Sequence, residues 1–259
     1  MIRVVIAGAG GRMGRALVEA AQLDRSLEIA AALDAPGSAS LGSRIGGVEV
    51  TPDVARAVSA ADVFVDFTRP EGTLAHLAAC LEAGRAMVIG TTGFSAAQRG
   101  QIEAGARRVP VVMAPNFAIG VNVVFKLAET AARILGDDFD VEILEAHHRH
   151  KVDAPSGTAL KLGEVVASAL HRRLDDVAVH GRHGDTGERP VKAIGFHAVR
   201  GGDIVGEHTV IFAGTGERVE VAVRSQSRAT YALGALRAAK WLHGRGAGMY
   251  DMADVLDLK

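Results

Sequence analysis

The sequence predicts an α/β fold in two parts: a parallel sheet covered by helices, then an α+β domain built on a mixed open sheet. Three observations carry this reading. Up to Phe117, short β-branched apolar runs alternate with helical patterns, the rhythm of repeated βα units. The first of those units joins its strand to its helix through Gly8-Ala9-Gly10-Gly11-Arg12-Met13-Gly14. Beyond Phe117 the rhythm changes, and late strands separated by glycine turns dominate. Composition agrees, because 48% of residues are apolar but only 4% aromatic. An Ala/Val/Leu/Ile core of that kind suits strands buried on both faces. We expect a dinucleotide-binding domain at 1–117, a substrate-binding domain at 118–227, and a helix and tail at 228–259 that pack back on the first domain.

In order, Ile2–Ala7 is an apolar strand, and a helix with Leu17, Val18, Ala21 and Leu23 on one side follows the glycines. Glycines there let the backbone turn sharply and approach a pyrophosphate, which then rests on the helix N-terminus. The spacing departs from the usual G-x-G-x-x-G, since Met13 stands at the third glycine's place; Gly8, Gly11 and Gly14 instead follow G-x-x-G-x-x-G. The second strand, Leu27–Leu33, ends in Asp34, whose carboxylate can accept ribose hydroxyls and repel a 2′-phosphate. A tight strand-to-helix turn without a ligand is the plainer alternative.

Asp62–Phe67 reads as a buried strand, and Thr68-Arg69-Pro70-Glu71-Gly72-Thr73 opens a helix through Leu74, Leu77, Ala78 and Leu81. Ala86–Ile89 ends in Gly90-Thr91-Thr92-Gly93, and Val111–Met113 in Ala114-Pro115-Asn116-Phe117. Ligands of open parallel sheets lie outside the carboxyl ends of the strands. The loops at Gly8, Asp34, Thr68, Gly90 and Ala114 therefore form the rim of one cofactor cleft.

In the second part, Gly120–Leu135 is a long helical pattern and Val141–Glu145 a strand. A helix from Gly157 to Leu170 precedes a polar connection at Arg172–Pro190, read as a loop or flexible arm. Lys192–Val199, Ile204–Ala213 and Arg218–Ser225 are strands. Gly201-Gly202-Asp203 and Gly214-Thr215-Gly216 between them read as hairpin connections. Thr230–His243 is helical again.

The strand at Val141–Glu145 delivers the stretch E-A-H-H-R-H-K-V-D-A-P-S-G-T, residues 145–158. His147, His148, Arg149, His150 and Lys151 are consecutive residues that carry or can carry positive charge. Like charges repel, so such a run is best used to meet an anion. Gly157 and Thr158 open a helix whose free N–H groups and positive dipole end can hold a carboxylate. Imidazoles beside a lysine also supply protons near neutral pH. The stretch points to acid–base work on a small anionic substrate. Alternatives are a solvated surface loop, a metal site and a nucleic-acid site. Arg149 and Lys151 oppose a bound cation, and metal-bound histidine must be neutral. A net charge of −1 with no second basic stripe speaks against nucleic acid.

Cys80 is the only cysteine, which excludes an intramolecular disulfide and fits a reducing compartment. No apolar run reaches membrane-span length, and the start is broken by glycine too soon for a signal-peptide core. We expect a soluble cytoplasmic protein without metal.

G-A-G-G-R-M-G, D-F-T-R-P-E-G-T, V-I-G-T-T-G-F, A-P-N-F, E-A-H-H-R-H-K-V-D-A-P-S-G-T-A, G-E-H-T and D-V-L-D-L together resemble the 4-hydroxy-tetrahydrodipicolinate (dihydrodipicolinate) reductases of the diaminopimelate route to lysine. The resemblance runs from Ile2 to Leu258. It implies a Rossmann-type first domain, and a second domain whose sheets assemble a homotetramer. It also implies that His147 is the acid/base position and Lys151 the proton donor. His148 would contact substrate, and Gly157 and Thr158 would bind one of its carboxylates. Gly8, Ala9, Gly10, Gly11, Arg12, Met13, Asp34, Gly90, Thr91, Thr92, Ala114, Pro115, Asn116 and Phe117 would hold NADH or NADPH. Members that use both carry an arginine after the acidic residue; Ala35 stands there instead, so NADH is the expected preference. In the reaction so implied, loss of the substrate hydroxyl leaves a conjugated imine, hydride adds to the ring, and Lys151 or His147 supplies the proton. Two rivals are a dehydrogenase of another small dicarboxylate, such as aspartate, and a dinucleotide-sensing module without turnover. The proton-donor cluster favours an enzyme over the module.

Overall fold

A computed structural model describes Met1–Lys259. Its chain divides into one unit of Met1–Ile119 with Arg228–Lys259 and a second of Gly120–Ser227.

In the first unit the elements are β1 (Ile2–Ala7), α1 (Arg12–Leu23), β2 (Leu27–Leu33), β3 (Arg44–Ile45), β4 (Val48–Thr51), α2 (Val54–Ala60), β5 (Val63–Asp66), α3 (Pro70–Ala83), β6 (Ala86–Ile89), α4 (Ala96–Ala106) and β7 (Pro110–Met113). With a last strand at Gly248–Tyr250 they form an eight-stranded sheet in which β5 lies on one side of β1 and β2 on the other. All neighbours are parallel except the short β3–β4 pair. The strand order reverses at β1, where ligands of such sheets bind beyond the carboxyl ends. Val63, Phe64 and Val65, like Met87, Val88 and Ile89, have no exposed surface, which explains their continuous apolar runs.

Gly14 solves the spacing puzzle of the first loop. A Cβ there would lie 2.1 Å from the Gly8 carbonyl oxygen, so only glycine lets α1 approach β1 this closely. The close-packing role belongs to Gly14, one position past the usual third glycine.

The second unit runs through α5 (Ile119–Leu135), β8 (Asp140–His147), α6 (Gly157–Ala169), α7 (Leu174–Val177), β9 (Ala178–His180), β10 (Ile194–Arg200), β11 (Gly206–Ala213) and β12 (Arg218–Ser225). Its mixed five-stranded sheet has the order β12-β11-β8-β10-β9. One face, with Val141, Ile143, Phe196, Val210 and Phe212, packs on Val124, Ala128, Leu162 and Val166 of α5 and α6. The other face carries Leu144, 38% exposed, and Val199, 53% exposed.

Two expectations need correction. Gly201-Gly202-Asp203 is no hairpin, because β8 lies between β10 and β11, parallel to one and antiparallel to the other. The turn wraps the end of β8: Gly201 N–H donates to the His147 carbonyl at 3.0 Å, and Arg149 N–H to that of Gly202 at 3.2 Å. Arg172–Pro190 is not a plain loop either. It contains α7 and β9, and Arg182 and Arg189 both donate to Glu142 at 2.9 Å.

The chain ends in α8 (Ala229–Leu242), β13 (Gly248–Tyr250) and α9 (Met252–Leu256), all in the first unit. Leu236, Ala239 and Leu242 of α8 join the core beneath β1 and β5, and β13 extends the sheet beside β7. A Cβ at Gly234 would meet the Phe117 carbonyl oxygen at 1.8 Å, so α8 presses directly on the loop after β7.

Candidate active site

The first unit gathers the predicted cofactor residues at the carboxyl end of its sheet. Gly8 turns with φ +72, and Gly11 N–H donates back to the Gly8 carbonyl at 2.9 Å. Arg12 is exposed and Met13 half-buried at the start of α1. Asp34 Oδ2 accepts from Gly10 N–H at 3.2 Å and the Ser40 hydroxyl at 2.6 Å, while Oδ1 accepts from Ala35 N–H at 2.9 Å. Burial pushes this carboxyl up, but the hydrogen bonds from Ser40 and Ala35 outweigh it and hold the pKa below its ordinary value. Asp34 is therefore an anion facing an open groove of about 850 Å³, lined also by Gly10, Gly11, Arg15, Ser38 and Arg44. A Cβ at Gly10 would meet Ser40 and Asp34 within 2.7 Å, so the floor of the groove exists only because residue 10 is glycine. Groove size, carboxylate and backbone approach fit the adenosine end of a dinucleotide.

The other loops expected to hold a cofactor rest on a buried polar knot that sequence reasoning missed. Asp66, fully buried at the end of β5, accepts from Thr68 N–H at 2.8 Å, Thr68 Oγ1 at 2.7 Å and Thr91 Oγ1 at 3.3 Å. Its other oxygen meets His76 Nδ1 at 2.7 Å, and Thr73 Oγ1 lies 2.9 Å from that of Thr91. The Thr91 side chain is thus turned inward, whereas Thr92 is exposed. Gly90 lies against the Phe67 ring, and Phe117 is buried with its ring centroid 5.4 Å from that of Phe67. Ala114 is buried, Pro115 exposed, and Asn116 Oδ1 accepts from Ala118 N–H at 2.9 Å. An acidic residue closing an apolar strand was the available signal for Asp66.

In the second unit the basic run does not stay together. His147 is buried at the end of β8, His148 and Lys151 are half-buried, and Arg149 and His150 are exposed. No group of three or more His, Cys, Asp or Glu side chains is placed to hold a metal ion. Strand register builds the centre: Glu145 lies opposite His208 of β11, and His147 opposite Arg200 of β10. His147 Nδ1 is 2.6 Å from Glu145 Oε2. Arg200 donates through both terminal nitrogens to Glu145, at 2.7 and 2.6 Å. Ser156 N–H donates to Glu145 Oε1 at 3.1 Å, and Ser156 Oγ caps α6 by accepting from Ala159 N–H at 3.2 Å. Burial raises the Glu145 carboxyl, but Arg200 and His147 together hold it below its ordinary value. For His147 burial lowers the pKa, Glu145 opposes, and Lys151 and Arg200 add to the lowering. At neutral pH the ring is therefore uncharged.

Lys151 Nζ pairs with Asp153 at 2.8 Å, which also pulls that carboxyl down. The His148 Nδ1 atom is buried and has no partner within the chain. Gly157 is exposed at the first turn of α6, and a Cβ there would meet nothing within 4 Å. Thr158 beside it is half-buried. A neutral imidazole, an ammonium and a helix N-terminus thus lie along one short stretch of chain. Such a set can hold a carboxylate and deliver a proton.

Both halves of this arrangement have counterparts among known proteins. The family described as Dihydrodipicolinate reductase, N-terminus, matches residues 2–117, and its C-terminus counterpart matches residues 120–256. A 4-hydroxy-tetrahydrodipicolinate reductase of Thiobacillus denitrificans is 58% identical, covering 100% of this chain and 99% of that protein. The one from Aromatoleum aromaticum is 57% identical, covering 100% and 96%. Among solved structures, a dipicolinate-bound dihydrodipicolinate reductase from Paenisporosarcina sp. TG-14 superposes with TM-score 0.82 at 29% identity, covering 98% of each chain. Matched by both family models over residues 2–117 and 120–256, and by relatives along its full length, the chain belongs to the dihydrodipicolinate reductase family.

Proposed function

We propose that this protein reduces 4-hydroxy-tetrahydrodipicolinate to tetrahydrodipicolinate with a reduced nicotinamide cofactor, in the diaminopimelate route to lysine. The observation that carries the proposal is the buried Glu145–His147 pair beside Lys151 and the N-terminus of α6. The substrate is a ring bearing two carboxylates, and a solved relative is described as binding dipicolinate, a dicarboxylate of similar shape. Gly157 and Thr158 receive one carboxylate on backbone N–H groups. His148, with its unpartnered Nδ1, contacts the substrate. Lys151, released from exposed Asp153, gives its proton to the reduced ring, and neutral His147 holds a lone pair for the hydroxyl-loss or proton-return step.

Gly8–Met13, Asp34, Gly90–Thr92 and Ala114–Phe117 hold the cofactor, which supplies the hydride when bound. NADH is the preferred form on this reading. Asp34 is kept anionic and Ala35 supplies no cation, although Arg15 and Arg44 line the same groove and soften the discrimination. The outward face of the mixed sheet, with Leu144 and Val199 exposed, supports assembly into a homotetramer through the second domain. The protein works in the cytoplasm, consistent with a lone buried cysteine; no helix is long and apolar enough to cross a membrane.

The deciding experiment follows nicotinamide absorbance with freshly made hydroxy-tetrahydrodipicolinate and, separately, with aspartate. Turnover is expected with the first alone. Comparable kcat/KM for aspartate would overturn the assignment.

A further inference from the structure

A second-layer carboxylate carries an inference that rests on the reading of His147 as the acid/base and deepens it. We infer that Glu145, clamped by Arg200, is the positioning residue of this site: it fixes the tautomer and aim of the His147 imidazole and ties them to the anion-binding end of α6.

The donors around Glu145 can be counted. A carboxylate has about four lone-pair positions. Oε2 receives His147 Nδ1 at 2.6 Å and one Arg200 nitrogen at 2.7 Å; Oε1 receives the other Arg200 nitrogen at 2.6 Å and Ser156 N–H at 3.1 Å. Every position is used, and at 2% exposure no water replaces a lost partner. The carboxylate can only accept, so the proton on neutral His147 sits on Nδ1 and the lone pair on Nε2. His208 packs edge-on against the ring, 5.1 Å between centroids, which resists rotation of the imidazole.

Arg200 makes the arrangement rigid rather than merely neutral. Its planar fork matches both carboxylate oxygens at once, which an ammonium cannot do. The same guanidinium donates to the Asp153 carbonyl at 2.7 Å, and the Asp153 side chain is the partner of Lys151. Glu145 thus meets the base through its side chain, the carboxylate-binding turn through Ser156, and the ammonium's loop through Arg200. Neither Glu145 nor Arg200 lies within the run of basic residues, His147 to Lys151, that marks the site in the sequence. A cross-strand ion pair that only staples β8 to β10 would show the same distances, so the test must separate alignment from stapling.

The test is a double-mutant cycle on the full-length enzyme, read with nitrogen-15 spectra of the histidine rings. Glu145→Gln presents an NH2 on one side and cannot satisfy all four donors. We expect its kcat to fall about 10²-fold. In a His147→Asn background, adding Glu145→Gln should change kcat less than about two-fold, because the residue acts through the missing imidazole. The His147 resonances should show Nδ1–H in the wild type and lose that pattern in Glu145→Gln. If Glu145→Gln fails to fold, Arg200→Lys, which keeps the carboxylate but breaks the fork, enters the same cycle and the same spectra. Equal losses in both backgrounds, or an unchanged His147 tautomer, would overturn the inference. Wild-type turnover by His147→Asn would overturn instead the reading of His147 itself, and the spectra would still judge whether Glu145 sets the tautomer.

Discussion

Lys151 and His147 lie four residues apart, yet the fold gives them opposite surroundings. His147 is enclosed and neutral, while Lys151 reaches out to an exposed aspartate. The ammonium is thus the better placed of the two to hold a spare proton. Lys151→Ala should lower kcat by about 10²–10⁴-fold, the range of a positioned acid. NADH affinity, followed by fluorescence, should stay near wild type, since the cofactor loops belong to the other unit; an equal weakening of both would reject the role. Gly157 offers a cleaner test than its exposure suggests. Because a Cβ there meets nothing, Gly157→Val should leave the melting temperature unchanged and still raise the substrate KM strongly by screening the N–H groups of α6. An unchanged KM in a folded variant would remove that turn from the site. At this scale the basic run was conspicuous in the sequence because charge repulsion demands a use. Glu145 was not, although a carboxylate at an inward position of Val141-x-Ile143-x-Glu145 was a signal in plain view. Its partner Arg200, and the His208 that faces it from β11, come from strands more than fifty residues away, and no local pattern links them.

Strands and helices differ in how readily they could be read. Parallel strands such as β5 and β6 declare themselves by unbroken apolar runs, and α6 begins where its serine cap and glycine say it should. Pairing is another matter. The insertion of β8 between β10 and β11 depends on partners distant in sequence, and glycine turns look alike whether they close a hairpin or wrap a strand end. One consequence of the β8–β11 pairing can be measured. Burial, with His147 nearby, drives His208 down to about 4 from its ordinary 6.5. Between those values the unfolded chain binds a proton that the folded chain refuses, so stability is fully present above the upper value and declines as pH falls toward the lower one. The window is worth roughly 3 kcal/mol. Urea melts from pH 7 to 4.5 should show this slope, and His208→Gln, which keeps a nitrogen toward Ser156, should remove most of it. His147 contributes in the same direction. Carboxylates such as Glu142, held at about 2, begin to lose their contribution as pH falls through their unfolded value of 4.5, so the slope above pH 5 belongs to the histidines. A variant with the wild-type slope would place the acid sensitivity elsewhere.

Across the whole molecule, cofactor choice and the second unit's outlying arm turn on single side chains. NADH should exceed NADPH in kcat/KM by about tenfold, because a carboxylate–phosphate clash in a partly solvated groove is worth only ~1–3 kcal/mol. Asp34 already receives Ser40, Gly10 and Ala35, which lowers what it can still offer a ribose and moderates the preference. Ala35 is exposed, so Ala35→Arg should fold normally and narrow the gap by improving NADPH use. A wild type that prefers NADPH would overturn this account of Asp34 and leave the reaction untouched. The arm at Arg172–Pro190 behaves differently from what its polar, glycine-rich composition suggested. Glu142 holds Arg182, Arg189 and His197 together, and a Cβ at Gly195 would lie 1.8 Å from that carboxylate. Glu142 is therefore the latch of the arm's outer part, and Arg182 within it is the side chain trypsin must swallow to cut there, because Arg189 precedes Pro190 and is no tryptic site. With both guanidiniums engaged, the native protein should survive brief digestion with this segment intact. Glu142→Ala should be nicked after Arg182 within the same exposure, turning a segment that looks expendable into a clock for how often the latch opens.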